Sequence, residues 1–542
     1  NKLNTILGLL LTLSVFSSPV HFAVSLAGNF GEPRPNHLHS GVDIKTEQSE
    51  NKAVYSIGDG FVSRVVVWQH GYGKAIYVQH PNGLTSIYAH LNGFAPRIEA
   101  IIKEYQYRHH TFDCDFSLSA SQCPVRKGQL IALSGNTGAS AGPHVHLEIH
   151  KTLSWDMMDP LDYVDLHLKD HTPPRLFAIK GYPQRGLGVI NGSGNEQLFG
   201  SNIQSLTAWG KIGFGIKAND YMDGVYNSYG VRFMRLLVDG KQVFSSDVNG
   251  VPRHCYRMVN SWGDYAHYMK TKEWFLKTFI EPGNTLPILK AKDRGIINIC
   301  EERDYHIQIV LSDVFGNTAS HTFVVHGRKQ AIPSGSQSSG PVFHWNKKNV
   351  YKGNGVILTF NKGAIADDLS YTPLISNGNA LSKTYSFFHV STPIFDTACI
   401  SIRPNATIKD IHKCFIAMTD PTGVKPKYVP SSYRRGWWSA KIRDLGMRYC
   451  LLEDYTPPTI RCLGGSPSAL SFIINDNLSG VRHFEATVDG HFVLLKMGKD
   501  RSYVYGDLRE SPLRPTGQTR QLRVVAIDNC GNKSQFVENI KY

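Results

Sequence analysis

The sequence is poor in cysteine and contains no long apolar segment. Nine cysteines are spread over 542 residues without a Cys-x-x-Cys pair, which argues against a disulfide-dense scaffold, a zinc finger and a dithiol redox motif. The apolar run Ile6–Phe16 has about 11 residues, whereas a membrane-spanning helix needs about 20. Long stretches of helical periodicity are also scarce, so the fold is not expected to be mainly helical.

The charged fraction is modest, at 19%, and its balance is basic. A formal net charge of +14 suits an anionic partner such as a cell-wall polymer, a membrane surface or nucleic acid, and does not choose among them. Hydrophobic residues make up 41% of the chain and aromatic residues 11%, which is enough to build packed cores and excludes a mainly disordered protein. The length predicts several domains.

The N-terminus has the features of a secretory signal peptide. Lys2 precedes the apolar run, and small residues follow it, so a signal is predicted over residues 1–25 with cleavage after Ser17 or Ser25. A buried N-terminal helix is the alternative. Because no cysteine follows the run, a lipoprotein anchor is not expected. Export would place the cysteines in an oxidising compartment.

Short β-branched runs dominate the rest of the chain and predict a mainly β fold. Strands are predicted within 53–67 and at 74–79, 84–88 and 129–134. One helix is predicted over Pro96–Tyr107, because its isoleucines keep helical spacing behind a proline start.

An internal repeat organises the chain after about residue 170. The copies start at Thr172 and Thr456, and each runs from Thr-Pro-Pro through Asn-Asp, Gly-Val-Arg and Val-Asp-Gly to an Asp-x-x-Gly-Asn turn. This pattern predicts two β-sandwich modules that resemble the immunoglobulin-like modules of bacterial surface and secreted proteins. They are placed at 172–328, with an insertion, and at 455–542. A linker at 329–341 and a third β-rich module at 342–453 lie between them.

Three motifs upstream of these modules carry side chains suited to metal chemistry. His39-Ser40-Gly41-Val42-Asp43 offers an imidazole and a carboxylate, although alone it is also an ordinary polar loop. Period-two alternation after Pro143 puts His144, His146 and Glu148 on one face of a strand, which alone is also the pattern of a solvated face. His90, at the end of a strand, would by itself be a structural residue.

Together these motifs resemble those of the lysostaphin/LytM-type zinc metallopeptidases, which cut peptide bonds in bacterial peptidoglycan. The shared elements are His-x-x-x-Asp, Tyr-Ala-His-Leu, Gly-Pro-His-x-His and the lead-in Phe30–Arg34. The resemblance covers about a quarter of the chain. It implies a peptidase domain at 26–165 with the family's antiparallel β scaffold, the duplicated hybrid motif.

The same resemblance implies the metal site. His39, Asp43 and His146 are expected to bind one Zn²⁺ per chain and to leave a fourth position for water. His37, two residues before His39, is the competing ligand. Glu148 is expected to hydrogen-bond a ligand imidazole.

Two further histidines, His90 and His144, are the expected catalytic residues. One would take the proton of the attacking water and the other would stabilise the oxyanion, and the sequence does not assign these two roles.

One segment departs from the family pattern. Residues 92–127 replace a short loop, and we expect this insertion to wall or cover the substrate groove. Cys114 and Cys123 lie within it and are expected to form a disulfide after export.

These observations predict an exported zinc endopeptidase of the periplasm or cell envelope, with peptidoglycan and not nucleic acid as its partner. No wall-targeting domain or Leu-Pro-x-Thr-Gly signal is recognised, which favours a Gram-negative envelope and a D-Ala–diaminopimelate cross-link. The alternatives are a non-catalytic wall-binding or amidase-activating protein of the same fold, and an adhesin or carbohydrate binder that acts through its β modules.

Overall fold

The computed structural model describes residues 16–335, 340–378, 381–423 and 425–542. Residues 1–15 of the predicted signal and 336–339 of the predicted linker lie outside the described residues. Phe16 and Val20, inside the predicted signal, are buried in the core of the first domain. Cleavage after Ser25 would therefore remove part of this core.

The first domain is built almost entirely from strands, as predicted. They are β1 (Phe16–Ser17), β2 (Leu26–Gly28), β3 (Pro33–Arg34), β4 (His37–Leu38), β5 (Val42–Lys45), β6 (Ala53–Tyr55), β7 (Gly60–Val67), β8 (Lys74–Gln79), β9 (Leu84–Leu91), β10 (Gly93–Phe94), β11 (Cys114–Ser117), β12 (Pro124–Val125), β13 (Leu130–Leu133), β14 (His144–Lys151), β15 (Met157–Met158) and β16 (Val164–Asp165). The predicted helix is α1 (Pro96–His109). A single 3₁₀ turn follows at Pro160–Asp162.

A large antiparallel sheet positions the candidate site. Its order is β11-β7-β8-β9-β14-β15, and β2 and β5 continue from β14. β14 therefore lies between β9 and β5 for part of its length and carries the Gly-Pro-His-x-His motif at its start. Its Val145, Leu147 and Ile149 are fully buried, as the period-two pattern predicts.

The insertion does not wall the substrate groove, and that prediction is wrong. In α1, Ile98 and Ile102 pack into the domain core, while β11 and β12 extend the sheet beyond β7. The outer face of α1 contacts the last module, where the Tyr107 ring packs edge-on against Phe492. Apolar spacing made the helix predictable, but the direction in which the insertion folds depends on pairing with β7, which has no local sequence signal.

The predicted Cys114–Cys123 disulfide is also wrong. Cys114 lies opposite Val67 on β7, whereas the Cys123 carbonyl accepts a hydrogen bond from the Val62 amide. Five residues along a strand correspond to roughly 16 Å, and disulfide-bonded Cα atoms lie within about 7 Å. All nine cysteines are free thiols.

The next segment contains twelve strands, and all of them except β23 form one eleven-stranded sheet around a single core. Its strands are β17 (Arg175–Ile190), β18 (Gln197–Gly200), β19 (Ser205–Tyr221), β20 (Ser228–Tyr229), β21 (Phe233–Val238), β22 (Lys241–Asp247), β23 (Gly250–Val251), β24 (Leu276–Lys277), β25 (Leu289–Ala291), β26 (Ile297–Ile299), β27 (Asp304–Ser312) and β28 (Thr318–Gly327). Two short helices, α2 (Val259–Trp262) and α3 (Tyr265–Thr271), and 3₁₀ turns at Tyr256–Met258 and Asp293–Gly295 complete it. β23 pairs with β15 and so joins this segment to the peptidase sheet.

Two further β units follow. The first packs two five-stranded sheets, and β29 and β32 form a separate pair. Its strands are β29 (Val342–Phe343), β30 (Asn349–Gly353), β31 (Val356–Phe360), β32 (Leu369–Ser370), β33 (Leu374–Ser376), β34 (Thr384–Ser386), β35 (Pro393–Ile402), β36 (Cys414–Thr419), β37 (Lys427–Val429), β38 (Ser431–Arg434), β39 (Trp437–Asp444) and β40 (Arg448–Glu453).

The last unit packs two four-stranded sheets. Its strands are β41 (Thr459–Ser466), β42 (Ala469–Asn475), β43 (Val481–Val488), β44 (His491–Val493), β45 (Lys496–Met497), β46 (Tyr503–Gly506), β47 (Thr519–Asp528) and β48 (Lys533–Lys541). A 3₁₀ turn lies at Leu508–Glu510. The mainly β fold class is confirmed. Among the described residues, no helix has the length and apolarity needed to cross a membrane.

Candidate metal centre

Two neighbouring strands and one loop bring the predicted ligands together. Asp43 on β5 lies directly opposite His146 on β14. His39 lies in the loop before β5, and this loop approaches β14 closely at Gly41. A Cβ atom on Gly41 would lie 2.2 Å from the Leu147 carbonyl oxygen, so the glycine in His-Ser-Gly-Val-Asp is required for this approach.

The three candidate ligand atoms form a small triangle. His39 Nε2 lies 3.2 Å from Asp43 Oδ1 and 3.2 Å from His146 Nδ1, and His146 Nδ1 lies 2.8 Å from Asp43 Oδ1. Three atoms bound to one zinc ion tetrahedrally, at about 2.0–2.2 Å each, would lie roughly 3.3 Å apart. The nitrogen and carboxylate donors and their spacing therefore fit Zn²⁺.

Each candidate ligand imidazole is oriented by a partner on its other nitrogen. His39 Nδ1 donates to the Asn29 carbonyl oxygen at 2.6 Å, which leaves the lone pair on Nε2. His146 Nε2 lies 2.7 Å from Glu148 Oε1, which leaves the lone pair on Nδ1. In both cases the nitrogen with the lone pair is the one that faces the triangle, the usual arrangement around a metal-binding histidine.

Glu148 is the centre of a buried hydrogen-bond network that sequence reasoning found only in part. Its side chain is fully buried, and it accepts hydrogen bonds from Tyr72 and Ser40 as well as from His146 and His150. Although burial opposes ionisation, the hydrogen bonds from the two imidazoles hold the pKa of Glu148 well below its usual range. A buried carboxylate this close to the ligands favours a cation in the triangle.

The electrostatics of Asp43 point the same way. Burial alone would raise its pKa, but the close imidazoles of His144, His146 and His39 hold the pKa of Asp43 well below its usual range. Asp43 Oδ2 also lies 3.4 Å from the Arg34 guanidinium. Arg34 belongs to the lead-in motif, and its contact with the outer oxygen leaves Oδ1 directed at the triangle.

The two expected catalytic histidines lie beside the triangle. Their ring centroids are 4.8 Å apart, and His144 Nε2 lies 3.3 Å from Asp43 Oδ1. Nδ1 of His144 donates to the Gly142 carbonyl and Nδ1 of His90 to the Thr137 carbonyl, each at 2.8 Å. A neutral imidazole held in this way carries its lone pair on Nε2.

His90 also has an unusual backbone. Its φ of 59° lies in the left-handed region that non-glycine residues seldom adopt. Its amide donates to the Tyr72 carbonyl at 2.8 Å. Burial, with the neighbouring His146 and His144, lowers the pKa of His90 to about 3, so this imidazole is neutral near pH 7.

The histidines and their neighbours line an open cleft of about 990 Å³. Its wall includes the aromatic residues Trp68, Tyr72, Tyr77, Trp155 and Tyr256 and the basic residues Arg34 and Arg253. Arg253 and Tyr256 come from the segment after β23, so the following module, and not the insertion, contributes to the groove. His37 lines the cleft with Nδ1 bound to the Pro35 carbonyl and is not part of the ligand triangle.

Comparison with known proteins identifies the family of this domain. Residues 37–107 match the model of peptidase family M23. This match and the relatives below support the assignment of the domain to the LytM/lysostaphin-type M23 metallopeptidases. The chain is similar over 120 residues, at 32% identity, to an uncharacterized metalloprotease of Haemophilus influenzae (22% of this chain and 19% of that protein). Residues 340–454 match a Zu5-like domain.

Other M23 relatives carry more specific names. The chain is 32% identical over 111 residues to the DD-carboxypeptidase/endopeptidase Mpg of Neisseria meningitidis, covering 20% of each chain. It is 31% identical over 139 residues to the peptidoglycan DD-endopeptidase ShyA of Vibrio cholerae, covering 24% of this chain and 26% of that protein. The matched region thus spans about a fifth to a quarter of these relatives.

Among solved structures, the catalytic domain of lysostaphin from Staphylococcus simulans is similar at 21% identity, with a TM-score of 0.20, over 26% of this chain and 96% of that domain. A zinc-containing peptidase from Vibrio cholerae is similar at 26% identity, with a TM-score of 0.21, over 27% of this chain and 39% of that protein.

Proposed function

We propose that the chain is a zinc-dependent endopeptidase that hydrolyses peptide cross-links of bacterial peptidoglycan. The observation that carries this proposal is the convergence of His39, Asp43 and His146 on one buried point, with His90 and His144 beside it in an open cleft. The match to peptidase family M23 and the names of the relatives in Neisseria meningitidis and Vibrio cholerae support the same activity.

His39 Nε2, Asp43 Oδ1 and His146 Nδ1 would hold the zinc ion. When bound by three protein ligands, Zn²⁺ polarises the scissile carbonyl and lowers the pKa of water. The Asn29 carbonyl and Glu148 hold the two imidazoles in the tautomers whose lone pairs face the ion. The buried charges of Asp43 and Glu148 balance its positive charge.

His90 and His144 would accept and donate the proton during hydrolysis. Each has Nδ1 tied to a backbone carbonyl and its lone pair on Nε2, so either can accept a proton from the attacking water at Nε2. The histidine that has accepted the proton carries a hydrogen on both ring nitrogens. It can then donate a hydrogen bond from Nε2 to the oxyanion of the tetrahedral intermediate. The Thr137 and Gly142 carbonyls keep both rings in place, so neither ring must reorient during the reaction.

The cleft suits an extended, anionic peptide. Aromatic side chains offer flat apolar contacts, and Arg34 and Arg253 can pair with the carboxylates of stem peptides. The D-Ala–diaminopimelate bond of a cross-linked dimer is the bond we assign, cut as by a D,D-endopeptidase. The net charge of +14 would hold the protein near anionic polymers of the periplasm or cell envelope.

The test uses purified cross-linked muropeptide dimers, with products weighed by mass spectrometry. We expect the dimers to become intact monomers, while the sugar–peptide amide stays whole. His144→Ala should give the same products much more slowly, which excludes a contaminating hydrolase. Free stem peptides released from glycan would instead identify an amidase. Intact dimers with zinc bound would support the wall-binding or amidase-activating alternative.

A further inference from the structure

A second group of buried acidic side chains lies outside the ligand triangle, where the chain enters the first repeated module. Asp170 precedes β17, Asp220 lies near the end of β19, and Asp313 follows β27. One carboxylate oxygen from each lies within 4.8 Å of the others. Their residues are only 6%, 3% and 2% exposed.

Hydrogen bonds fix this cluster but do not satisfy it. Asp170 Oδ1 accepts from the Thr172 and Asp223 amides, and Asp313 Oδ1 accepts from the Phe315 and Asn317 amides. Asp220 Oδ1, however, is buried and has no hydrogen-bond partner among the described residues. A buried carboxylate oxygen without a partner is costly, and this one belongs to a member of the cluster.

The second repeated module carries the same arrangement at the equivalent positions. Asp454, Asp476 and Asp528 form a cluster within the same 4.8 Å limit. Asp454 Oδ1 accepts from the Thr456 amide, as Asp170 does from Thr172. Asp528 Oδ1 accepts from two amides of its own turn, as Asp313 does.

The unpaired oxygen recurs as well. Asp476 Oδ1 is buried and without a hydrogen-bond partner in the described part of the chain. Asp476 is the residue of the second module that corresponds to Asp220 in the repeat, and Asp220 Oδ1 has the same property. The two modules have different surroundings and different neighbours along the chain, so the recurrence indicates that the acidic cluster itself is the retained feature of the repeat.

A hard divalent cation accounts for this geometry. Two oxygens bound to one Ca²⁺ at about 2.3–2.6 Å lie no more than roughly 5 Å apart, which is the spacing found here. The donors are all oxygens, unlike the imidazole-rich peptidase centre, and oxygen donors favour Ca²⁺ over Zn²⁺.

We propose that each of the two repeated modules binds one Ca²⁺ through its three aspartates, Asp170, Asp220 and Asp313 in the first and Asp454, Asp476 and Asp528 in the second. Asp170 lies just after the peptidase domain, and Asp454 is the last residue of the match to the Zu5-like domain. Each ion would tie the incoming chain to two strand ends of its module and so stiffen the junction. This inference does not depend on the proposed peptidase activity.

The test is calorimetric titration of the zinc-loaded full chain with CaCl₂ in calcium-free buffer. We expect two Ca²⁺ per chain for the wild type, one each for Asp220→Asn and Asp476→Asn, and none for the double variant. Matched controls are Asp239→Asn and Asp489→Asn, exposed turn residues at equivalent positions of the two modules that accept amide hydrogen bonds. Both controls should keep two ions.

Absence of Ca²⁺ binding by the wild type, or binding that Asp220→Asn and Asp476→Asn leave unchanged, would overturn the proposal. Asparagine keeps the shape of aspartate, and near-ultraviolet circular dichroism and zinc content report whether the variants fold. A second readout is thermal unfolding. Added Ca²⁺ should raise the Tm of the wild type and of both controls by several degrees and leave the double variant unchanged.

Discussion

At the scale of single residues, the two nitrogens of each site imidazole have different partners. His39 and His146 direct one nitrogen at the ligand triangle and the other at Asn29 and Glu148. His144 has Nδ1 bound to a backbone carbonyl and Nε2 near Asp43 Oδ1. His39 has the same two contacts, but its Nε2 also lies 3.2 Å from His146 Nδ1. The ligand triangle therefore includes His39 and not His144, and this separates a histidine that would bind the ion from one that would move a proton.

We predict that His146→Ala and His144→Ala have different effects on zinc. His146→Ala removes one of three ligands, so the purified variant should lose most of its metal. His144→Ala should keep about one zinc per chain and slow turnover by roughly 10²–10⁴, the range for a general acid–base residue. Metal analysis of both variants together with dimer cleavage checks this. Loss of zinc from His144→Ala with retention in His146→Ala would reverse the two roles.

The sequence predicted the residues that lie in motifs and missed those that act across the fold. His39, Asp43 and His146 could be named because their spacing matches a known pattern. Tyr72 and Asn29 could not, because their hydrogen bonds to Glu148 and to His39 follow from strand pairing and loop packing and leave no local signal.

At the scale of elements, alternation of side chains was the most informative sequence feature. It predicted β14 as a strand with a polar face, while a β-branched run placed β8 at its observed bounds. Helical spacing placed α1 in the same way, with an end two residues later than predicted. The residues of an inserted strand do not indicate which strand it pairs with, so the pairing of β11 with β7 was not predicted.

We predict that Cys114 and Cys123 remain unlinked in the protein purified under oxidising conditions. They pair with opposite ends of β7, too far apart for a disulfide without breaking the sheet. Peptide mapping without reduction should recover both cysteines as separate, alkylated peptides. A peptide pair linked through Cys114 and Cys123 would mean that β11 does not hold its place on β7.

At the scale of the whole molecule, the peptidase domain and the first module are joined by more than the chain between them. β15 pairs with β23. Next to this pairing, the buried Arg232 of the repeat's Gly-Val-Arg motif binds Asp159 and Asp162 of the peptidase domain and Asp247 of its own module. The module also supplies Arg253 and Tyr256 to the cleft, so loosening this joint should disturb the groove.

Arg232→Ala should therefore lower the stability of this joint by about 3 kcal/mol, because it leaves the buried Asp159 carboxylate without its cation. Denaturant unfolding followed by tryptophan fluorescence measures the effect. Arg303→Ala is the matched control, since Arg303 also binds two carboxylates but on the surface, and it should change the midpoint little. Equal midpoints for the two variants would show that the joint does not depend on Arg232.

In the proposed function, one zinc ion, held by His39, Asp43 and His146, enables this chain to cut peptidoglycan cross-links. The most direct measurement is zinc titration of metal-free protein while cleavage of purified cross-linked dimers is followed by mass spectrometry. The expected result is no cleavage without metal and a rise in the rate that saturates at about one zinc per chain. Cleavage that persists in metal-free protein, or dimers that stay intact with one zinc bound, would contradict it.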